Sequence, residues 1–219
     1  MGNASNASVW AYADVFIAPV DAVIPEGGRP FGPEWEQVGL LDGEEGFTET
    51  VEVESEDLYA WGGVLVASTH NNFKVTRKFL PFEDNKTVYD LMYPGHGVDF
   101  SGDGGYEGEI RVPDLQARFK IAFETRTGDL VKRTVSANYA QVAERGESTE
   151  NATELAKREI TVAIYPTEGD EPTLFYTYKG QVRPDDDGGE EEEEENGPGD
   201  PGDEDGENGP GEEDGGDGE

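Results

Sequence analysis

The sequence predicts a mainly β fold: a β-sandwich or partial barrel with one short α-helix, ending in a disordered acidic tail. Three observations point there. Segments in which apolar and polar residues alternate recur through residues 9–183, the period of a half-buried strand. They are separated by turns rich in Gly, Pro and Asp, and only one stretch has helical periodicity. From residue 184 the composition changes to 19 Asp/Glu and 11 Gly with no Lys or Arg. Such a segment has too little apolar surface to offset its chain entropy. The reading is therefore an N-terminal strand and extended arm (1–34), a β-sandwich core (35–183) and an acidic Gly/Pro-rich tail (184–219).

Each element has its own signal. Residues 9–17 (VWAYADVFI) are aromatic and β-branched and read as a strand. Pro19, Pro25, Gly27, Gly28, Pro30, Gly32 and Pro33 follow, a long irregular arm of the kind that reaches onto a neighbour in an assembling protein. A short strand at 35–40 turns at Leu41-Asp42-Gly43. In residues 47–55, Phe47, Glu49, Val51 and Val53 share one face and Thr48, Thr50, Glu52 and Glu54 the other, a half-buried strand. A connection over 54–63 leads to the strand 72–80 (NFKVTRKFL). Asp84 or Asn85 caps the helix, whose stripe is Val88, Leu91 and Met92 and whose stop is Pro94-Gly95. Residues 96–109 read as a Gly- and Asp-rich loop. Strand 118–126 turns at Thr127-Gly128-Asp129 into a partner over 130–142, and 144–154 reads as polar loop. Strands at 160–166 and 174–178 form a second hairpin, giving about eight strands.

Composition narrows the function. The formal charge is −34, and residues 1–183 carry 31 acids against 16 bases. That argues against naked nucleic acid as a binding partner, since binding rests on cations that neutralise phosphates. No cysteine is present, which excludes disulfides and thiolate metal sites. The N-terminus lacks a basic region before its first apolar run, so no signal peptide is expected, and Asn6 breaks the myristoylation pattern. No apolar run approaches the ~20 residues of a membrane span. Charge is also segregated: ten acids and no Lys or Arg lie between Arg29 and Lys74, then ten Lys/Arg from Lys74 to Arg133. Intramolecular pairing accounts for this, and so does a head-to-tail contact between subunits.

Nothing reads as an active site. His70 and His96 are far apart in unrelated segments, and no nucleophile elbow or phosphate loop occurs. Asp99, Asp103 and Glu107 cluster among glycines without EF-hand spacing and read as solvated. Trp10, Trp35 and Trp61 are spread over three segments, which suits core or interface packing better than a sugar platform. The reading is a non-enzyme with no metal site and no cofactor.

Several whole segments carry a family resemblance: VFIAPVDAVIP, GLLDGEEGFTETVEV, LYAWGG, and STHNNFKVTRKFL leading into KTVYDLMYPG. Over residues 1 to about 180 the chain resembles the major tail tube proteins of long, flexible-tailed bacteriophages, especially the actinobacteriophage type. The resemblance implies a tail-tube-like fold, similar also to type VI secretion tube proteins. It implies a structural virion protein, made in the host cytoplasm, whose hexameric rings stack into a tube with sheets joined across subunits. Genomic DNA would pass down the lumen without specific binding and without a membrane contact. Partners would be the chain itself and the tape-measure, tail-terminator and baseplate proteins.

On that reading the lumen-facing acids are Glu49, Glu52 and Glu54, against the plainer reading of a solvated face. The inter-ring contact is the loop over 54–63 with Asp57, Leu58, Tyr59 and Trp61, or else the N-terminal arm. The inter-subunit basic face is Lys74, Arg77 and Lys78. The acidic tail departs from the family pattern; it would be a solubilising brush, a guard against early polymerisation or added lumen charge. The alternative function is a virion decoration or cell-surface β-sandwich binding module. A carboxylate-based glycosidase is the weakest reading, since no acid pair across a cleft is legible.

Overall fold

The computed structural model describes residues 8–102, 104–153 and 155–183; the tail, and with it the expectation of disorder, lies outside them. The described chain is mainly β with one short helix. The strands are β1 (Tyr12–Ala18), β2 (Glu36–Gln37), β3 (Thr48–Ala60), β4 (Val64–Phe79), β5 (Gly97–Phe100) and β6 (Tyr106–Glu109). After these come β7 (Lys120–Thr127), β8 (Leu130–Ser136), β9 (Ala140–Thr149), β10 (Lys157–Ile164) and β11 (Phe175–Gln181), with helix α1 (Lys86–Met92) between β4 and β5. One sheet has the order β11-β8-β7-β1-β2, a second β3-β4-β10-β9, and β5 pairs with β6 alone. The two larger sheets form a sandwich-like body. Val15, Ile17, Ile121 and Phe123 of the first sheet meet Phe79, Val142, Ile160, Val162 and Ile164 of the second.

Helix α1 plugs this core as the sequence predicts. Val88, Leu91 and Met92 are buried in it. Asn85 is the N-cap: its side-chain oxygen accepts from Val88 N at 2.9 Å, and its Nδ2 donates to Val38 O at 2.8 Å. The other end is capped by Arg145 of β9, whose Nε donates to Met92 O at 2.7 Å and Nη2 to Leu91 O at 3.2 Å. A guanidinium there satisfies carbonyls that a two-turn helix leaves open. Asn85→Ala should lower stability by about 1 kcal/mol, measured by urea titration.

Residues 19–35 do not extend outward. They fold over the far face of the first sheet, where Ala22, Trp35, Ile24 and Phe31 pack against Ala18, Ala122 and Val135. Arg133, buried in β8, fastens them by donating to Arg29 O at 2.6 Å and lying 4.1 Å over the Phe31 ring. The same guanidinium binds Glu124 Oε2, also buried, at 2.5–2.8 Å. Glu124 in turn meets Arg126, and Arg126 meets Asp14. The arm's prolines and glycines thus serve a close wrap on its own sheet.

Other expectations need correction. Residues 54–63 are strand up to Ala60, so β3 and β4 form one long hairpin with a tight turn. Residues 96–109 are not a loop but the β5–β6 hairpin, whose strands of four residues are too short to show a period. The strand expected over 130–142 breaks at Ala137-Asn138-Tyr139, which carries the chain from one sheet to the other. β9 then runs on through the expected polar loop; register shifts opposite β10 disrupt its alternation. β10 and β11 lie in different sheets and do not pair. The described strands number eleven rather than about eight. Among the described residues, no helix is long and apolar enough to cross a membrane.

Candidate assembly surface

The residues singled out by sequence converge on the β3–β4 hairpin. Its strands are built from Val, Thr and alternating charges, and its turn is Trp61-Gly62-Gly63. Gly62 and Gly63 have φ of 95° and 79°, values an L side chain rarely adopts, and Gly63 N donates to Ala60 O at 3.1 Å. At its base the hairpin belongs to the sandwich: Val75 and Phe79 are buried in the core. Beyond Val53 and Phe73 a register shift occurs, and Asn72 there takes a positive φ of 53°. From that point the hairpin leaves the body. At about 3.3 Å per residue the free part extends roughly 25 Å.

This is where the expectation of a half-buried strand fails. All thirteen residues of β3 are exposed. Cross-strand partners share a face, so one face carries Val51/Val75, Val53/Phe73 and Tyr59/Leu65. It continues the core stripe outward, yet Val51, Val53, Phe73, Tyr59 and Leu65 are each about half exposed or more. Phe73, at 58%, has no sheet above it, and Trp61 at the tip is wholly exposed. The opposite face carries Glu52, Glu54 and Glu56. An isolated two-stranded hairpin is marginal in water, and contiguous exposed apolar surface is characteristic of interaction sites.

The candidate acids divide between the faces. Glu52 and Glu54 share one face, whereas Glu49 stands on the other beside Val51. Glu49 is held by Arg77 at 2.6 Å, and Glu52 by Lys74 at 3.6 Å. Arg77 also lies 4.9 Å and 4.7 Å from the Phe123 and Phe175 rings. Lys78 reaches Glu159 at 3.3 Å and Glu45 at 3.7 Å. Lys74, Arg77 and Lys78 are therefore engaged within the chain, and pairing of β3 with β4 accounts for part of the charge segregation, through Glu49–Arg77 and Glu52–Lys74. Asp57, Leu58, Tyr59 and Trp61 cluster at the far end of the hairpin as strand and turn residues.

Among the described residues, clefts also lie elsewhere on the surface, and two are well formed. One, of about 1360 Å³, opens where the sheets part, between Tyr12, Leu40, Phe47 and Lys132; its Asp14–Arg126 and Glu49–Arg77 charges are mutually paired. The other, about 380 Å³, lies between the arm and β11 beside Tyr176 and Tyr178. His70 sits on the hairpin opposite Ser55. His96 is buried among Tyr89 and Phe100, its Nδ1 accepting from Val98 N at 3.1 Å and its Nε2 3.2 Å from Asp90. Asp99 and Glu107 face each other across β5 and β6, while Asp103 lies outside the described residues. Among the described residues no group of three or more His, Asp or Glu is placed to hold a metal ion. Trp10 lies under Lys179, Trp35 is in the second core and Trp61 is at the hairpin tip, so they share no surface.

Sequence reasoning missed the free edges of the second sheet. Among the described residues, β3 is one edge along its whole length and β9 is the other, with one backbone bridge, from Ala140 to Phe119. The signal for the first was in the residues: a β-prone run with glutamates at every second position suits an edge strand better than a sandwiched one. Against known proteins, no family model matches the chain, and no curated protein matches it.

Proposed function

We propose that this chain is a structural subunit that assembles head to tail with copies of itself, as the tail tube subunit of a long-tailed bacteriophage. The observation that carries this reading is the β3–β4 hairpin, a half-apolar ribbon projecting from a finished body. The second sheet supports it. Its four strands are each antiparallel to their neighbours, so β3 and β9 run in opposite directions. Adding the β3 edge of one copy to the β9 edge of the next continues the alternation without a break. Repetition closes a ring of joined sheets and removes both edges, the usual hazard of a β-rich chain.

The faces sort themselves accordingly. The outer face of this sheet is largely polar, with Thr48, Thr50, Glu52, Lys74, Lys78, Glu159 and Thr161 around the buried Thr76 and Ala163. It is the face to line a lumen, and its glutamates would act as a field on passing DNA rather than as acids or bases. The apolar hairpin face would rest on a neighbouring copy, in the same ring or the next. Glu49 drops out of the lumen set, because it stands on the apolar side. Hexameric stacking, passage of DNA and contacts with tape-measure, terminator and baseplate proteins follow from the family resemblance and belong to this proposal.

Negative-stain electron microscopy with sedimentation of the purified full chain tests it. The expected result is rings or tubes on the order of 100 Å across, the scale of six such domains around a pore. A chain that stays monomeric at every concentration and salt, with or without its assembly partners, would overturn the reading.

A further inference from the structure

The edges that would join in the ring are unusual in charge. On β3, Glu54, Glu56 and Asp57 are exposed and have no ion pair among the described residues, and the strand contains no Lys or Arg. On β9, Glu144 and Glu147 are likewise exposed and without an ion pair among the described residues. The single cation of β9, Arg145, is turned away from the edge into the carbonyls of Met92 and Leu91 at the end of α1. The cations of β4 that face β3, Lys74, Arg77 and Lys78, are taken within the chain by Glu52, by Glu49, and by Glu45 with Glu159. Each free edge therefore carries net negative charge, Glu144 of β9 at the level of Thr48 and Glu54 to Asp57 of β3 farther along the hairpin.

We propose that the junction between copies is a like-charge one, so that association of β3 with β9 is held off at low ionic strength and released by screening. This rests on the head-to-tail reading above. Two edges of like net charge repel one another at separations within the Debye length, and charged edges are a known device against uncontrolled strand addition. The apolar hairpin face supplies attraction that salt does not weaken, whereas the repulsion between exposed carboxylates falls with the Debye length. That length is about 30 Å at 0.01 M and about 10 Å at 0.1 M salt. Most interfaces steered by opposite charges behave in the reverse way, weakening as salt rises.

The test is a sedimentation series on the full chain, from about 0.01 M to about 0.3 M monovalent salt, spanning the range over which such charges become screened. The concentration at half-association should fall about tenfold or more across it. The variant E54Q/E56Q/D57N/E144Q/E147Q should associate at low salt as the parent does at high salt. The variant E168Q/D170N/E171Q, with its changes in an exposed turn outside both edge strands, should keep the parent's salt dependence. That control separates the edges from the general acidity of the chain. Association that is independent of salt, weakens with it, or responds equally to both variants overturns this inference and leaves self-assembly standing. A failure of parent and edge variant to associate at any salt overturns both.

Discussion

Arg133→Ala should lower the stability of the folded body by about 3 kcal/mol, the low end of the cost of breaking a buried ion pair, because Arg126 still reaches the other oxygen of Glu124 at 3.2 Å. The guanidinium is buried and does three things at once. It neutralises Glu124, itself buried, with two hydrogen bonds of 2.5 and 2.8 Å to one carboxylate oxygen. It donates to the carbonyl of Arg29, which sits on an irregular segment with few strand hydrogen bonds of its own. It also stacks on Phe31, the aromatic that anchors the arm between Phe16 and Trp35. Arg133→Lys keeps the charge but loses the planar fork and should recover only part of the loss. The double change Arg133→Ala with Glu124→Ala should be less harmful than the sum of the single ones, because no buried carboxylate is then left behind. Urea titration measures all three. Limited trypsin digestion gives a second readout: cleavage after Arg29 should rise steeply in Arg133→Ala, as the arm lifts from the sheet.

Val53→Ser combined with Phe73→Ser should separate assembly from folding. Both side chains are half exposed in the single chain. Their loss should change the stability of the body by less than about 1 kcal/mol, within the span of strand preferences at exposed positions. If the apolar hairpin face is covered in the assembly, each copy loses roughly half the burial of a Val and a Phe, enough to weaken association about 10- to 100-fold. Sedimentation and thermal melts on the same samples decide it. A variant that melts like the parent and assembles like the parent would remove the hairpin from the interface. Phe79→Ala makes a useful contrast: Phe79 lies on the same strand in line with Phe73 but is fully buried, so its loss should damage the fold first.

Much of this architecture was legible in the residues. The helix was, because its stripe, its Asn85 cap and its Pro-Gly stop agree with one another. The β7–β8 hairpin was, because Ile121, Phe123, Val131 and Val135 alternate around a Thr-Gly-Asp turn. What could not be read was how far strands run once alternation stops reporting burial. Beyond Val53 the hairpin has no body beneath it, so Ser55 to Asp57 carry no apolar period although the hydrogen-bond ladder continues. β9 is obscured by its irregular register, and β5 and β6 by their brevity. The arm misled for a different reason. Its prolines describe its backbone, while what holds it is Arg133, more than a hundred residues later in the chain. Of the candidate site, the position of Asp57 to Trp61 at an exposed extremity was foreseeable. The internal pairing of Lys74, Arg77 and Lys78 was visible only as a charge pattern with two possible meanings.

The first sheet has a consequence for how the protein comes to be folded. Its centre pairs β1 with β7, about a hundred residues apart, and its edge is closed by β11, the last described strand. Arg183 N then donates to Gly28 O at 3.0 Å, tying the end of that strand to the arm. None of this can form on a ribosome until almost the whole body has been made, and pairing across such separations is slow. The β3–β4 hairpin needs only its own residues and a Gly-Gly turn, and hairpins of this kind close within about 1–10 μs. On the head-to-tail reading, the assembly ribbon can thus begin to form, marginally stable by itself, before the body that anchors it. On that reading the acidic residues along the ribbon would also guard incomplete chains against pairing with their neighbours on the same message.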